Sequence, residues 1–350
     1  MTFVAELERA LGKAQVVSDP AALEDRRHDY WVLSHFDDVD GHPAPAPMCA
    51  VRPRNAGDVA LTLRLCAEKG VGVVPFGLGS GVCGGVLASP DRILLDMSAM
   101  SALRFIDEEN FVAGFDAGMN GLEAENKVAA KGLTIGHWPQ SIALTSVGGW
   151  IATRASGQLS TGYGNIEDIV HTLEAVLPDG TVLILGKAPR AAAGPDLRHI
   201  LMGSEGTLGV VTGVTLSLRR QPEARAHGAF FVPTMEVGFD AQRETLRSGW
   251  APVVMRQYDA VEAKRGFPDQ ARENEGLLIA VHEGPRARVE AEQEAFARIC
   301  RGARLAAGGR RPAGSSGATT CRTGRITRAR SDARHRRDFG ELECNCARLS

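Results

Sequence analysis

The residues with the clearest chemical potential form one short stretch, "VPFGLGSGVCGG", from Val74 to Gly85. Gly77, Gly79, Gly81, Gly84 and Gly85 crowd into it behind a strand-like run, "VGVVPF". Glycine admits positive φ and carries no Cβ, so successive N–H groups can converge on an anion. The spacing Gly79-x-Gly81-x-x-Gly84 is that of a dinucleotide-binding turn, and Asp96 ends a second apolar run, "RILLD". The context contradicts a Rossmann site, which needs the third glycine to open a helix inside a β-α-β crossover. The ten residues "VLASPDRILL", with Pro90 among them, leave no room for that helix. The spacing to Asp96 is then coincidental. By its own chemistry the loop is either an anion nest or a tight turn region without a ligand.

Two further segments weigh toward a ligand. "SVGGWIATRASGQLSTGYGN" (146–165) reads as a long irregular stretch rich in Gly, Ser and Thr, and "GSEGTLGVV" (203–211) is a third loop of the same kind. A compact domain rarely carries three such loops without a functional reason. Elsewhere the chemistry is open to plainer readings. His137 in "TIGHWPQS" is an active-site group or a ring packed beside Trp138, and Arg154 is a phosphate contact or half of a loop ion pair. Arg256 in "VVMRQYD", taken alone, reads as a strand-end arginine paired with Asp259; Asp196 and His199 read as capping and pairing groups.

The elements that position these loops follow from periodicity and punctuation. Asp19-Pro20 opens a helix over "PAALEDRRHDY", and 33–48 reads as a loop. "CAVRP" is a strand; Asn55 and Asp58 cap a helix with Val59, Leu63 and Cys66 on one face and Gly70 at its end; "VGVVPF" is the next strand. These form a β-α-β unit over 49–76. Beyond the glycines the pattern turns to strands: "RILLDMS", "LRFIDEENFVAGFDAG", a hairpin at Pro178-Asp179-Gly180, and "LGVVTGVTLSLRR", with helices at "GLEAENKVAAKG" and "PDLRHILMG". From about Gln221 a second β-α-β-β-α series begins, which suits an α+β layer.

Bulk properties exclude several classes. The chain has 350 residues, enough for two domains, with 44% hydrophobic and 23% charged residues and a net charge of −2. That balance gives no case for nucleic acid, and no run approaches a membrane span. The seven scattered cysteines and the absence of a secretory signal predict a reducing, cytoplasmic setting. From Gly302 to Ser350 the composition breaks: 11 Arg, no Lys and 4 acids, with no apolar periodicity. This segment reads as an Arg-rich, disordered or out-of-frame tail. Its Cys321, His335, Cys344 and Cys346 lack the paired spacing of a zinc site, so no metal is expected.

The three loops together resemble the FAD-binding domain of the vanillyl-alcohol oxidase / p-cresol methylhydroxylase superfamily. Within it the chain is similar to alkylglycerone-phosphate synthase (alkyl-dihydroxyacetone-phosphate synthase) and bacterial FAD-linked oxidase relatives, through "SVGGWIATRASG", "YGNIEDIV", "GPDLRHILMGSEGTLGVVT" and "VMRQYD". The resemblance implies an α+β fold: an N-terminal helical segment (1–45), a two-subdomain FAD-binding domain of the p-cresol methylhydroxylase type (46–221), a truncated α+β cap or substrate domain (222–301), and the tail (302–350). It implies FAD contacts from Pro75, Phe76, Gly77, Leu78, Gly79, Ser80, Gly81, Gly84 and Gly85, where Leu78 stands at a common family glycine and Gly81 at a common serine. It extends them to Gln140, Ser141, Thr145, Ser146, Gly148, Gly149, Thr153, Arg154, Ala155 and Ser156, and to Glu205, Gly206, Thr207, Gly209, Val210 and Val211. No His stands in the glycine loop where some members attach flavin covalently, so non-covalent FAD is expected, with Arg256 as the catalytic arginine near it.

The expected function is that of an FAD-binding flavoprotein oxidoreductase of the alkylglycerone-phosphate synthase kind, linked to ether lipid biosynthesis. Its partner is a small-molecule substrate, a lipid precursor or hydroxy acid, and it is expected as a homodimer. The family's catalytic tyrosine, further arginine and histidine run are not identifiable here, so the chain is expected to be impaired or inactive. The alternatives are an FAD-dependent 2-hydroxy acid or alcohol oxidase or dehydrogenase, and a non-catalytic FAD-binding remnant.

Overall fold

The computed structural model describes residues 2–186, 192, 194–269, 271–307 and 327–328. The chain forms two compact units: Met1–Gly157 with Asn165–Arg219, and Gln158–Gly164 with the residues from Arg220 onward. Most of the Arg-rich tail thus lies outside the described residues.

The first unit holds two sheets. One has the order β1-β2-β4-β3, from β1 (Val16–Val17), β2 (Cys49–Val51), β3 (Gly72–Phe76) and β4 (Arg92–Asp96). Strand β4 runs parallel to both β2 and β3, so it lies between the two strands of the β-α-β unit read from the sequence. The run "RILLD" serves both faces by alternation. Ile93 and Leu95 pack with Leu7 of helix α1 (Phe3–Leu11), while Leu94 packs with Leu23, Ala50 and Val74 on the other face. Helix α2 (Val32–Val39) occupies part of the stretch read as a loop. Only Ser34 of it is buried; Val32, Leu33, Phe36 and Val39, spaced as on one helical face, stay exposed. Conversely, the helix expected from Pro20 stops at Leu23 and continues as a 3₁₀ turn to Arg26. Arg26 Nε then reaches Asp96 at 3.0 Å.

Helix α3 (Ala56–Lys69) forms as its punctuation predicts. Asn55 Oδ1 accepts from Asp58 N at 3.0 Å, and Gly70 closes the helix at φ 66°. Val59, Leu63 and Cys66 join the Ile93 side of the sheet. The second sheet is antiparallel, with the order β5-β6-β9-β7-β8. Its strands are β5 (Leu103–Asp107), β6 (Val112–Asp116), β7 (Val170–Val176), β8 (Val182–Leu185) and β9 (Val210–Ser217). The hairpin at Pro178-Asp179-Gly180 joins β7 to β8, with Asp179 Oδ1 accepting from Thr181 N at 2.8 Å. Helices α4 (Gly121–Ala129) and α5 (Val147–Thr153) seal this sheet through Ala124, Val128, Trp150 and Ile151, packed with Phe115, Leu173, Val214 and Leu216.

The stretch 146–165, read as one irregular loop, is thus divided. Its first half is helix α5, capped by Ser146; its second, Gln158–Gly164, belongs to the other unit. The helix forms because Val147, Trp150 and Ile151 fall on one buried face, a stripe too short to stand out among the glycines.

The second unit is an antiparallel sheet, β11-β12-β10-β13, of β10 (Ala224–Val232), β11 (Val254–Tyr258), β12 (Gly276–Gly284) and β13 (Ala306–Ala307). Its core on one face joins Phe230, Leu278 and Ala280 to Phe296 and Cys300 of α8 (Arg286–Gly302) and Ala241 of α6 (Met235–Arg247). A short helix not read from the sequence, α7 (Ala260–Gly266), covers Phe231 and Leu277 on the other face. The molecule is α+β.

Candidate functional site

A cavity of about 390 Å³ opens in the first unit, and the glycine stretch forms one wall. The loop from Gly77 to Asp91 joins β3 to its parallel neighbour β4 without a helix, so the Rossmann arrangement is absent. Gly79 and Gly84 hold φ of 71° and 73°, which L side chains rarely adopt. Among the described residues, nothing in the protein accepts a hydrogen bond from the amides of Leu78 through Gly84.

The far end of the loop is held by Asp29, itself on the cavity wall. Its Oδ2 accepts from Gly85 N at 2.9 Å and its Oδ1 from Trp31 N at 3.0 Å. The Trp31 indole then covers Gly84: a Cβ there would stand 2.8 Å from the ring. Strand β3 fixes the near end, and Phe76 lies under Gly79.

The second wall is the start of α5. Ser146 Oγ accepts from Gly149 N at 3.1 Å, and a Cβ on Gly77 would meet that same oxygen at 2.4 Å. Val147 N and Gly148 N donate to Met119 O and Ala117 O, at 2.9 and 2.7 Å, so these amides of the first turn are already engaged. Gly148 also permits this approach, because a Cβ would lie 2.7 Å from that of Ala117. The third wall is 205–211. Glu205 and Gly206 take φ of 48° and 83°, and Gly206 lies against Pro75.

Of the residues expected at the cofactor, Pro75 through Gly81, Gly85, Ser141, Thr145, Ser146, Gly148, Gly149, Thr153, Ala155, Glu205, Gly206, Gly209, Val210 and Val211 line this cavity. Gly84, Gln140, Arg154, Ser156 and Thr207 do not. Arg154, in the left-handed region at φ 49°, donates from Nε to Met202 O and from Nη2 to His199 O, both at 2.9 Å. It fastens the helix end to the neighbouring turn; among the described residues it forms no ion pair, and it does not line the cavity.

Arg256 lies on β11 in the second unit, where it is exposed and donates to the Tyr258 hydroxyl at 3.3 Å. Asp259, its expected partner, instead caps α7 by accepting from Glu262 N. Asp196 pairs with Arg198, whose guanidinium holds the carboxyl down to about 2; Arg198 Nη1 in turn donates to Val170 O and His171 O.

Sequence reasoning passed over Asp29, Met97, Ala117 and Trp150, all on the wall. Asp29 sits far from the glycines in sequence and in no motif; the other three are apolar residues whose place on the wall no local pattern marks. Trp150 stacks edge to face on His137, with centroids 4.8 Å apart. Both His137 nitrogens and Trp150 Nε1 are buried without a hydrogen-bond partner. Burial alone pushes the His137 pKa down to about 4.

The arrangement can hold an extended anionic ligand with an apolar end. Asp29 and Glu205 are the only charged side chains on the described wall, and both are acidic. Phosphate charge would therefore be met by backbone amides, as in a nest, rather than by cations. Pro75, Phe76, Met97 and Val211 give the apolar surface a flat ring system requires. These residues fit FAD.

The comparisons agree with that geometry. Residues 47–186 match the family profile described as an FAD binding domain. Over that segment the chain is similar to an FAD-binding domain. It is 36% identical over 300 residues to the uncharacterized FAD-linked oxidoreductase YgcU of Escherichia coli O157:H7, covering 85% of this chain and 61% of that protein. It is 34% identical over 239 residues to alkyldihydroxyacetonephosphate synthase of Caenorhabditis elegans, covering 67% of this chain and 40% of that one. A solved structure of alkyldihydroxyacetonephosphate synthase superposes with a TM-score of 0.78 at 26% identity, covering 87% of this chain and 61% of the other. The chain thus spans about 61% or less of the length of these relatives. Among the described residues, no helix is long and apolar enough to cross a membrane.

Proposed function

We propose that this chain binds FAD non-covalently in the first-unit cavity and serves a flavin-dependent reaction of the alkyldihydroxyacetonephosphate synthase kind on a small lipid precursor. The observation that carries the FAD reading is the run of uncommitted amides from Leu78 through Gly84, facing glycine-permitted close approaches at Gly77, Gly148 and Gly206. When bound, the flavin supplies an electron sink that the side chains of this cavity lack.

The residues of the chain bind and orient. The loop amides would hold the pyrophosphate, and Asp29 keeps the loop fixed by accepting from Gly85 N and Trp31 N. Ser146 shapes the opposite wall, and Pro75, Met97 and Val211 would shield the ring system from water. Arg256 is proposed as the catalytic arginine on the resemblance of "VMRQYD" alone; its guanidinium is exposed, and Asp259 caps α7 instead of pairing with it.

The substrate branch rests on the 34% identity over 239 residues to alkyldihydroxyacetonephosphate synthase of Caenorhabditis elegans and on the motif "VMRQYD". The test is to add an acyl-dihydroxyacetone phosphate with a fatty alcohol to the flavin-loaded protein and look for the ether product without flavin reduction. Bleaching of the flavin by a 2-hydroxy acid would instead identify the dehydrogenase alternative. Neither response would leave an FAD-binding chain without turnover.

A further inference from the structure

Away from the cavity wall, three side chains with metal-ligating chemistry meet on the N-terminal arm of the first unit. His28 precedes α2, and α2 contributes His35 and Asp38, three positions apart. One donor atom from each lies within 4.8 Å of the other two. His28 Nε2 stands 2.7 Å from Asp38 Oδ2, and the two imidazoles meet edge to face with centroids 5.1 Å apart.

The orientation of His28 is fixed from behind. Its Nδ1 lies 2.6 Å from the backbone carbonyl of Asp29. A carbonyl and a carboxylate only accept, so both ring nitrogens donate, Nδ1 to Asp29 O and Nε2 to Asp38 Oδ2. A metal would take the place of the Nε2 proton while the Nδ1 bond keeps the ring in position. Metal-ligating histidines are oriented by an outer bond of the same kind. Two imidazoles and one carboxylate match the donor set of borderline divalent transition metals. Bonds of about 2.0–2.1 Å place tetrahedral donors about 3.3 Å apart. The His28–Asp38 contact would therefore open by about 0.6 Å, and the widest pair would close by at most about 1.5 Å. His35 and Asp38 are exposed, which leaves the fourth position to water.

We propose that His28, His35 and Asp38 form a binding site for a divalent transition metal of the zinc class. Its location gives it a second consequence. His28 runs directly into Asp29, which holds the glycine loop at Gly85, and Trp31 before α2 covers Gly84. A metal here would fasten the arm that holds that loop, so metal and FAD retention are coupled. The plain alternative, a His–Asp ion pair with a second ring packed on it, takes up no metal.

The test uses the full chain, freed of any affinity tag and of metal by EDTA dialysis, then equilibrated with Zn²⁺ at micromolar concentration for elemental analysis. The expected result is one Zn²⁺ per chain. His35→Ala and the isosteric Asp38→Asn should each weaken uptake by at least about tenfold. His42→Ala, an exposed histidine outside the cluster, should leave it unchanged. The metal-loaded protein should also release FAD more slowly than the metal-free protein, a difference lost in His35→Ala. A wild-type chain that takes up no Zn²⁺, or Zn²⁺ retained undiminished in both His35→Ala and Asp38→Asn, would overturn the proposal.

Discussion

At the scale of single residues, the cavity depends on atoms that are missing rather than present. Gly77 shows this most directly, because a Cβ would press into the Ser146 hydroxyl that caps α5. Gly77→Ala should lower stability by about 1–3 kcal/mol through overpacking. It should also yield protein depleted in FAD, read from the ratio of visible to protein absorbance. His137 gives a pH dependence. Its ring is neutral in the folded chain, with a pKa near 4 against an ordinary 6.5, so the unfolded chain binds the proton first as pH falls. Stability is therefore unaffected above pH 6.5, falls as pH drops from 6.5 toward 4, and levels off below. The full loss is roughly 3 kcal/mol. In His137→Phe that acid limb should flatten in a series of chemical unfolding curves; an unchanged limb would show that other groups carry it.

At the scale of elements, the glycine loop is a connection between parallel strands that must be pinned, and Asp29 is the pin. Asp29→Ala would strip the acceptor from Gly85 N and Trp31 N. Each hydrogen bond to a charged group contributes about 1.5–3 kcal/mol. The variant should therefore melt earlier and lose FAD faster on gel filtration, whereas retention equal to wild type would remove Asp29 from the account. Much at this scale was legible in the sequence. Asn55 with Gly70 bounded α3, and Pro178-Asp179-Gly180 marked the β7–β8 hairpin, because caps and turns are local chemistry. The walls of the cavity were legible as three glycine-rich loops for the same reason. Asp29 and Trp31 were not, since their importance comes from a contact across more than fifty residues of sequence that no local pattern records. Helix α2 was missed although Val32, Leu33, Phe36 and Val39 recur at helical spacing, and α5 because its apolar face spans fewer than two turns. Arg154 shows the limit for site residues: its type suggested phosphate, while its bonds go to the carbonyls of Met202 and His199.

At the scale of the whole molecule, the cavity is built by the first unit alone, as far as its described residues show. Both sheets, the capped helices and the described cavity walls lie within Met1–Gly157 and Asn165–Arg219. Ligand that binds only the folded state stabilises it by about 2.7 kcal/mol at a hundredfold excess over Kd. FAD in excess should accordingly raise the melting temperature of the flavin-depleted chain, and adenosine diphosphate, which keeps the pyrophosphate, should do so in part. The central claim is tested most directly by the visible spectrum of the purified chain before and after acid precipitation. The account predicts flavin bands in the folded protein and their full release into the supernatant as FAD. A folded protein that is colourless and takes up no added FAD would contradict it, and colour that stays with the precipitate would contradict the non-covalent attachment.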